Sequence, residues 1–317
     1  VTLDGHTIKL FANIALPEDV KDVHRAGADG VGLFRTEFLF MNRDDLPCED
    51  EQYNAYCRVI RSMKGQPVVI RTADLGGGAE CRYAQIDMFG SRQSISVATY
   101  PGRRFTTSIV HLDRRAESTS DLGKAAGAEI AVNGSYFNVK TFEPVTFVLL
   151  DRKIVGRTTP EEAFRTNGVI AFKDHKGRRM EIFPCDTTQY ADVARRYRSA
   201  LAAGPVLIDG GKLVEYTSGS SFYTRRHPRT LIGKRADGTV VMAVIDGRFK
   251  GQGDGATIAE TAYIARQLGL TEALNLDGGG SSTLWTAQEG VLNHPYDNRR
   301  FDHEGERGVP NCIVVRR

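Results

Sequence analysis

Three consecutive glycines at 76–78 divide the chain into two stretches built on different rules. Before them, apolar strand-length runs alternate with helical spacing. TIKLFANI (7–14) reads as a strand, LPEDVKDVHRAG (16–27) as a helix entered through proline, and ADGVGLFRTEF (28–38) as a second strand. CEDEQYNAYCRVIRSMKG (48–65) is then a second helix and QPVVIRTADL (66–75) a third strand. A β-α-β-α-β order predicts parallel strands, because a crossover helix returns the chain to the same edge. A closed βα barrel takes about 250 residues, so 1–77 predicts a short βαβαβ fragment of an incomplete βα barrel. One face of its sheet is expected to lie open unless something packs on it.

After the glycines the texture turns strand-rich. SISVATY, TTSIVHLD, AEIAVNGSYF, TFVLLDRKIVG, GVIAFKD, AGPVLIDGGKLV, TLIGKRADGTVVMAVIDGR and VPNCIVVRR all read as strands or strand pairs. Asp-Gly pairs at 208–211 and 236–239 suit tight hairpin turns. Only 187–203 and 256–270 read as helices. The expectation for 80–317 is therefore an α+β domain of mixed or antiparallel sheets with a few helices. A formal charge of +3 over 317 residues argues against nucleic acid or an anionic membrane as partner. No apolar run approaches membrane-spanning length, and VTLDGHTIKLF does not read as a secretory leader. Five dispersed cysteines point to thiols rather than a disulfide framework.

In βα architectures chemistry collects at the carboxyl ends of strands. Those ends carry Asn13, Arg35 and Arg71 in the first segment. Two guanidinium forks on neighbouring strands suit a phosphate or carboxylate clamp, with pairing to nearby acids the plain alternative. The run TLDGH…ANI…GADGVGLFRTEFLFMNRDDLP…EQYNAY…VVIRTADLGG resembles the phosphoenolpyruvate-binding barrel of the phosphoenolpyruvate-protein phosphotransferases. The resemblance covers about 1–77 and implies that Arg35 and Arg71 match the family's phosphate-holding arginines. It stops mid-motif, since Gly78-Ala79 stand where the family has Asp-Lys. Matches for its magnesium carboxylates, its cysteine acid and its phosphorylated histidine domain do not follow. The clamp is expected to be vestigial and the chain to lack phosphotransferase activity.

The second segment carries polar clusters at its strand ends: VNGSYFN (132–138), RRHPRTLIGK (225–234), VIDGRFKGQGDGAT (244–257), NLDGGGSST (275–283) and EGERGVPN (304–311). For DGGGSS an ordinary turn is the leading local reading. Against it, three glycines cost backbone entropy, and their exposed amides with Ser281 and Ser282 beside them could converge on an anion. In order along the chain, NGSYFN, AGPVLIDGG, RRHPRTLIGK, VIDGR, LGLTEALNLDGGGSST, N-x-P at 293–295 and ERGVPN resemble the phosphodiester glycosidase domain. That family includes the uncovering enzyme, N-acetylglucosamine-1-phosphodiester alpha-N-acetylglucosaminidase.

The resemblance spans about 80–317 and implies hydrolysis of a sugar-1-phosphodiester, releasing sugar and a phosphomonoester. Carboxylate pairs commonly serve glycosyl transfer, and a departing phosphate needs electrostatic support more than a proton. Asp277 and Asp246 are the expected carboxylates. Arg229, Arg248 and Arg307 are expected to support the phosphate, with the amides of Gly278, Gly279 and Gly280 beside them. Asn133 is expected to position a sugar hydroxyl. His227 reads as an acid or, more simply, a surface residue beside Pro228. Arg307 has ion pairing with Glu304 or Glu306 as its plain alternative. No cofactor is called for; a divalent cation near Asp246, Asp254 and Asp277 stays open, without any ligand spacing that demands it. The partner expected is a small-molecule or glycan phosphodiester. A non-catalytic sugar-phosphate module is the alternative, and phosphoenolpyruvate chemistry the remotest one. The two resemblances point to different compartments, export for the glycosidase and cytoplasm for the phosphotransferase.

Overall fold

The computed structural model describes residues 8–35, 49–71, 78–175 and 177–317, the side chains of Arg35, Glu49, Asp50, Gln52 and Arg71 excepted. The chain forms two compact units, Val1–Gly77 and Gly78–Arg317.

In the first unit, strands Phe11–Ile14, Gly30–Arg35 and Val68–Arg71 form a parallel sheet in sequence order. Helices Val20–Arg25 and Glu49–Ser62 make the crossovers. Ile14, Val20, Val23, Val31, Phe34, Val59 and Met63 form its core. Phe11 and Val69 stay 47% and 55% exposed, so apolar sheet surface is left uncovered. The described strands make an open sheet and no barrel closure. Arg35 and Arg71 are cross-strand partners at the ends of their strands. The side chains of the expected phosphate clamp lie outside the described residues.

The second unit is three antiparallel sheets closing on one core. A seven-stranded sheet holds, among others, Ser91–Pro101, Val206–Asp209, Arg229–Lys234, Thr239–Ile245 and Glu272–Asn275. One five-stranded sheet centres on Ser199–Ala203, between Gly168–Phe172 and Val148–Leu150. The other runs Gly290–Val291, Leu284–Thr286, Ile130–Asn133, Asn311–Arg316, Thr106–His111. Met242 and Leu274 from the first, Ile170 and Leu201 from the second, and Val132 and Ile313 from the third meet in the shared core. Each sheet is covered on its outer face by one helix. Ile258–Gln267 brings Ile258, Ala262 and Ala265, Tyr190–Arg196 brings Tyr190 and Val193, and Thr119–Ala125 brings Leu122 against Trp285.

The spacing predicts one helix over 187–203; the structure ends it at Arg196 and makes Ser199–Ala203 a strand. SALAA has helical propensity, but both its faces are buried. Ala200 and Ala202 face the helix-covered layer and Leu201 and Ala203 the shared core. Burial on two faces at a period of two selects a central strand, overriding propensity. The helix at 256–270 forms as Ile258–Gln267, entered through a reciprocal Thr257–Glu260 capping box. Both Asp-Gly segments are hairpin turns, with Gly210, Gly211 and Gly238 at positive φ. The four described cysteines, Cys57, Cys81, Cys185 and Cys312, are unpaired. Among the described residues no helix is long and apolar enough to cross a membrane.

Candidate active site

Antiparallel pairing sets Arg229 opposite Ile245 and Leu231 opposite Asn275. The start of Arg229–Lys234 and the ends of Thr239–Ile245 and Glu272–Asn275 therefore meet at one end of the seven-stranded sheet. A cleft of 360 Å³ opens there, lined by Arg229, Arg248, Asp277, Gly278, Gly279, Gly280 and Arg307, with Tyr136, Arg165, Phe222 and His227 completing it. Arg165 enters from the loop before Gly168–Phe172, and Arg307 from the loop before the last strand.

The DGGG loop is a short 3-10 turn, Gly279–Ser281, each of whose glycines has a distinct cause. A Cβ at Gly278 would meet the Pro228 carbonyl at 2.6 Å. Gly279 lies at φ +63. A Cβ at Gly280 would fall on the Asp297 carboxylate and the Arg307 guanidinium. The expected nest of three converging amides does not form. The Gly278 N–H donates to Asp277 Oδ1 (2.8 Å) and the Gly279 N–H to the Pro228 carbonyl (2.9 Å). Of the three, only the Gly280 amide makes no hydrogen bond among the described residues. The glycines bring backbone close to Arg248 and Arg307 rather than forming the anion hole themselves.

Arg229 is the most constrained cation. It is 2% exposed; its Nε donates to the Ala256 carbonyl (2.9 Å) and its Nη2 to those of Phe222 (2.6 Å) and Arg225 (3.3 Å). Its guanidinium also lies 5.0 Å from the Phe222 ring. Burial lowers its pKa to about 10 against the opposing pulls of Tyr136 and Glu260, with Arg165 and Arg248 pushing the same way as burial. No carboxylate forms a salt bridge with it among the described residues. A desolvated, unpaired guanidinium aimed into a cleft is costly unless an anion joins it.

Arg248 stands at φ +68, rare for a residue with a side chain. Its guanidinium lies 5.0 Å from the Tyr296 ring, close to Gly279. Arg307 pairs bidentately with Asp297, Nε–Oδ2 and Nη2–Oδ1 both at 2.8 Å, so its acid is neither Glu304 nor Glu306. Arg165, missed in the sequence, pairs with Glu162 at 2.6 Å and lies 4.0 Å from the Tyr136 ring centre. His227 lines the cleft half-buried, contrary to its reading as a surface residue. Burial, then the charges of Arg229 and Arg248, lower its pKa and favour neutral imidazole.

Asp277 is the carboxylate of the cleft. Burial pushes its pKa up to about 6, while Ser281, the Gly278 amide, Arg165 and Arg307 act the other way. Its backbone is anchored at both ends: Asn133 Nδ2 donates to its carbonyl (2.7 Å) and its N–H donates to the Gly134 carbonyl (3.0 Å). This corrects the expectation for Asn133. It is fully buried, and its Oδ1 accepts from Thr230 Oγ1 (2.9 Å) and the Thr283 N–H (3.1 Å), so it positions the loop and does not line this cleft. Ser281 and Ser282 likewise sit at 1% and 2% exposure behind the loop, outside the cleft lining.

Asp246 does not join Asp277. At 1% exposure its carboxylate turns across the sheet, accepting from Ser94 Oγ (2.5 Å), Asn293 Nδ2 (3.2 Å) and the His294 N–H (2.9 Å). Its Oδ2 also meets His294 Nδ1 at 2.8 Å, and His294 stacks on Phe301. All its lone pairs are spent on holding Asn293–His294 to the sheet. Asp254 is spent on the Arg92 and Gly251 amides. Among the described residues no three His, Cys, Asp or Glu side chains are grouped to hold a metal ion.

Comparison with known proteins completes the picture. The profile of the family described as phosphodiester glycosidase matches residues 126–316, 191 of the 317 residues. That of the PEP-utilising enzyme, PEP-binding domain, matches 1–101, running past the glycines into strands Glu80–Met88 and Ser91–Pro101 of the second unit. The phosphoenolpyruvate-protein phosphotransferase of Bacillus subtilis is 54% identical over 86 residues, 27% of this chain and 15% of that protein. The chain thus spans under a sixth of that relative's length and joins segments of two families.

Among solved structures, the zebrafish N-acetylglucosamine-1-phosphodiester alpha-N-acetylglucosaminidase catalytic domain, auto-inhibited by its pro-peptide, superposes with a TM-score of 0.60 at 17% identity. It covers 76% of this chain and 83% of that one. A hypothetical protein from Synechocystis gives 0.56 at 16% identity, covering 78% and 63%. These likenesses establish the fold of the second unit. With its profile matched across well over half its length, the chain belongs to the phosphodiester glycosidase family.

Proposed function

We propose that the second unit hydrolyses the glycosidic bond of a sugar-1-phosphodiester. The anomeric C–O bond breaks, water supplies the new hydroxyl on the sugar, and the phosphate leaves as a monoester. The observation that carries this reading is Arg229, a buried guanidinium lining the cleft that forms no salt bridge among the described residues. With Arg248, Arg307 and Arg165 around it, the cleft is complementary to the charge that builds on a departing phosphate. Among the described residues Asp277 is the one carboxylate lining that cleft, and in this reading it faces positive charge developing at the anomeric carbon. Asp246, sealed in its own network, takes no part. The second titrating group in the cleft is His227, held toward its neutral form and so able to accept a proton from water.

The test is turnover of a glycosyl phosphodiester by the purified protein, with release of free sugar. Asp277→Asn is expected to fold and to lose at least about 10³-fold in kcat/KM. Binding of phosphodiesters without turnover by the unmutated protein overturns the catalytic reading and leaves a sugar-phosphate-binding module.

A further inference from the structure

A second hollow adjoins the cleft, and Arg307 is the residue common to both. It has a volume of 540 Å³ and is walled by Phe137, Val139 and Phe142, with Ala116 and Gly308 at its base. We propose that this shelf is the subsite for the aglycone, the group on the far side of the phosphate, and that it takes a flat apolar face. The proposal rests on the phosphodiester reading of the cleft.

A phosphodiester carries two substituents on one phosphorus. If the phosphate lies among Arg229, Arg248 and Arg307, the sugar points to Asp277 and the second substituent must leave on another side. The chain provides for that directly. Tyr136 lines the cleft and the next residue, Phe137, lines the shelf, as neighbouring residues of an extended segment face opposite ways. Arg307 stands between, its guanidinium fixed by Asp297, and among the described residues it is the only charged side chain lining the shelf.

The shelf is also built rather than incidental. The Phe137 and Phe142 rings stack with centroids 6.3 Å apart and planes at 29°. Phe142 sits at φ +58, a strained conformation for an aromatic residue. Its N–H donates to the Asn138 carbonyl (2.7 Å), and the Asn138 N–H to the Glu143 carbonyl (2.9 Å). Asn138 Oδ1 accepts from the Lys140 and Thr141 amides, closing the loop on itself. Arg114 pairs with Glu143 at 3.0 Å and ties the loop to the preceding segment. The result presents Val139, 61% exposed, and two aromatic rings beside a phosphate-binding arginine. An aryl group and the apolar face of a second sugar ring share the chemistry that such a surface recognises.

Steady-state kinetics on three diesters of one glycosyl phosphate test this: methyl, benzyl, and a second sugar joined through its primary hydroxyl. The benzyl or sugar aglycone is expected to raise kcat/KM over methyl by about ten-fold, through KM. That ratio is expected to fall toward one in Val139→Ser and in Phe142→Asn, the latter chosen because asparagine tolerates the left-handed backbone. Because the readout is a ratio within one protein, a partly unfolded variant does not imitate the result. A larger gain for sugar than for benzyl identifies a pyranose face, and the reverse identifies an aryl or alkyl group. Equal handling of all three diesters, or a ratio that survives both substitutions, overturns the subsite while the glycosidase reading stands. Turnover of none of them removes both.

Discussion

Replacing Asp277 by asparagine separates what the carboxylate does for chemistry from what it does to the fold. Burial holds its pKa at about 6 instead of 3.8. The folded value lies above the unfolded one, so the ionised group destabilises the fold above about pH 6. That penalty fades as the pH falls from about 6 to about 4 and is gone below it, where the group is protonated in both states. Going from 3.8 to about 6, at 1.36 kcal/mol for each tenfold change, sets a ceiling of about 3 kcal/mol. Asp277 keeps partial contact with solvent, so roughly half of that, about 1–2 kcal/mol, is the expected effect. Asparagine keeps the shape and the acceptor for the Gly278 amide but carries no charge. Asp277→Asn should therefore melt higher than the parent by about 2–6 °C at pH 7.5. The gain should shrink to about a third of that at pH 4.5, while activity is lost at both. Melting curves at the two pH values decide it. A variant less stable than the parent at pH 7.5, or a difference that ignores pH, would refute the view that this carboxylate is held against its own preference.

Other consequences follow from the same geometry. Arg229→Lys should weaken inhibition by inorganic phosphate at least about ten-fold and lower stability by about 1–3 kcal/mol, since three carbonyls lose a fork-shaped donor; competition kinetics and melts measure both. Gly280→Ala should displace the Asp297–Arg307 pair and reduce kcat/KM with the fold kept, whereas Gly219→Ala, which meets nothing within 4 Å, should be neutral; kinetics on the pair check it. Asp246→Asn should act chiefly on stability, losing about 2–4 kcal/mol in denaturant unfolding as the His294 contact fails, and its residual activity should track the folded fraction. The pH profile of kcat/KM should fall below about 6 as Asp277 protonates, and Asp277→Glu should move that limb where Asp277→Asn abolishes it.

Much of this was legible in the sequence where local chemistry and tertiary context agree. The helix over 256–270, the Asp-Gly hairpins and the βαβαβ order of the first unit are such cases. SALAA failed because two-sided burial outweighs helix propensity, and nothing local announces that burial. Within the site, the strand ends bearing Arg229, Arg248 and Asp277 were readable because antiparallel pairing must bring alternate strand ends together. Asp246 follows the same strand as Arg248, and Asn133 ends a strand of the adjoining five-stranded sheet, yet both side chains turn inward, a choice set by Ser94 on a neighbouring strand and by Thr230 across the sheets. Arg165 and Tyr136 left only a faint signal, an arginine among aromatics whose stacking appears when two distant loops meet. The glycines of DGGG read as freeing amides for an anion; in the structure they instead admit the protein's own arginines and the Pro228 carbonyl.

The central claim is that the bond to the anomeric carbon is the one that breaks. Hydrolysis of a glycosyl phosphodiester in ¹⁸O-enriched water, followed by mass spectrometry of both products, reads this directly. The account predicts the label on the sugar hydroxyl and none in the phosphomonoester, with label incorporation lost in Asp277→Asn. Label in the phosphate would show attack at phosphorus, and the cleft would then belong to a phosphodiesterase rather than a glycosidase.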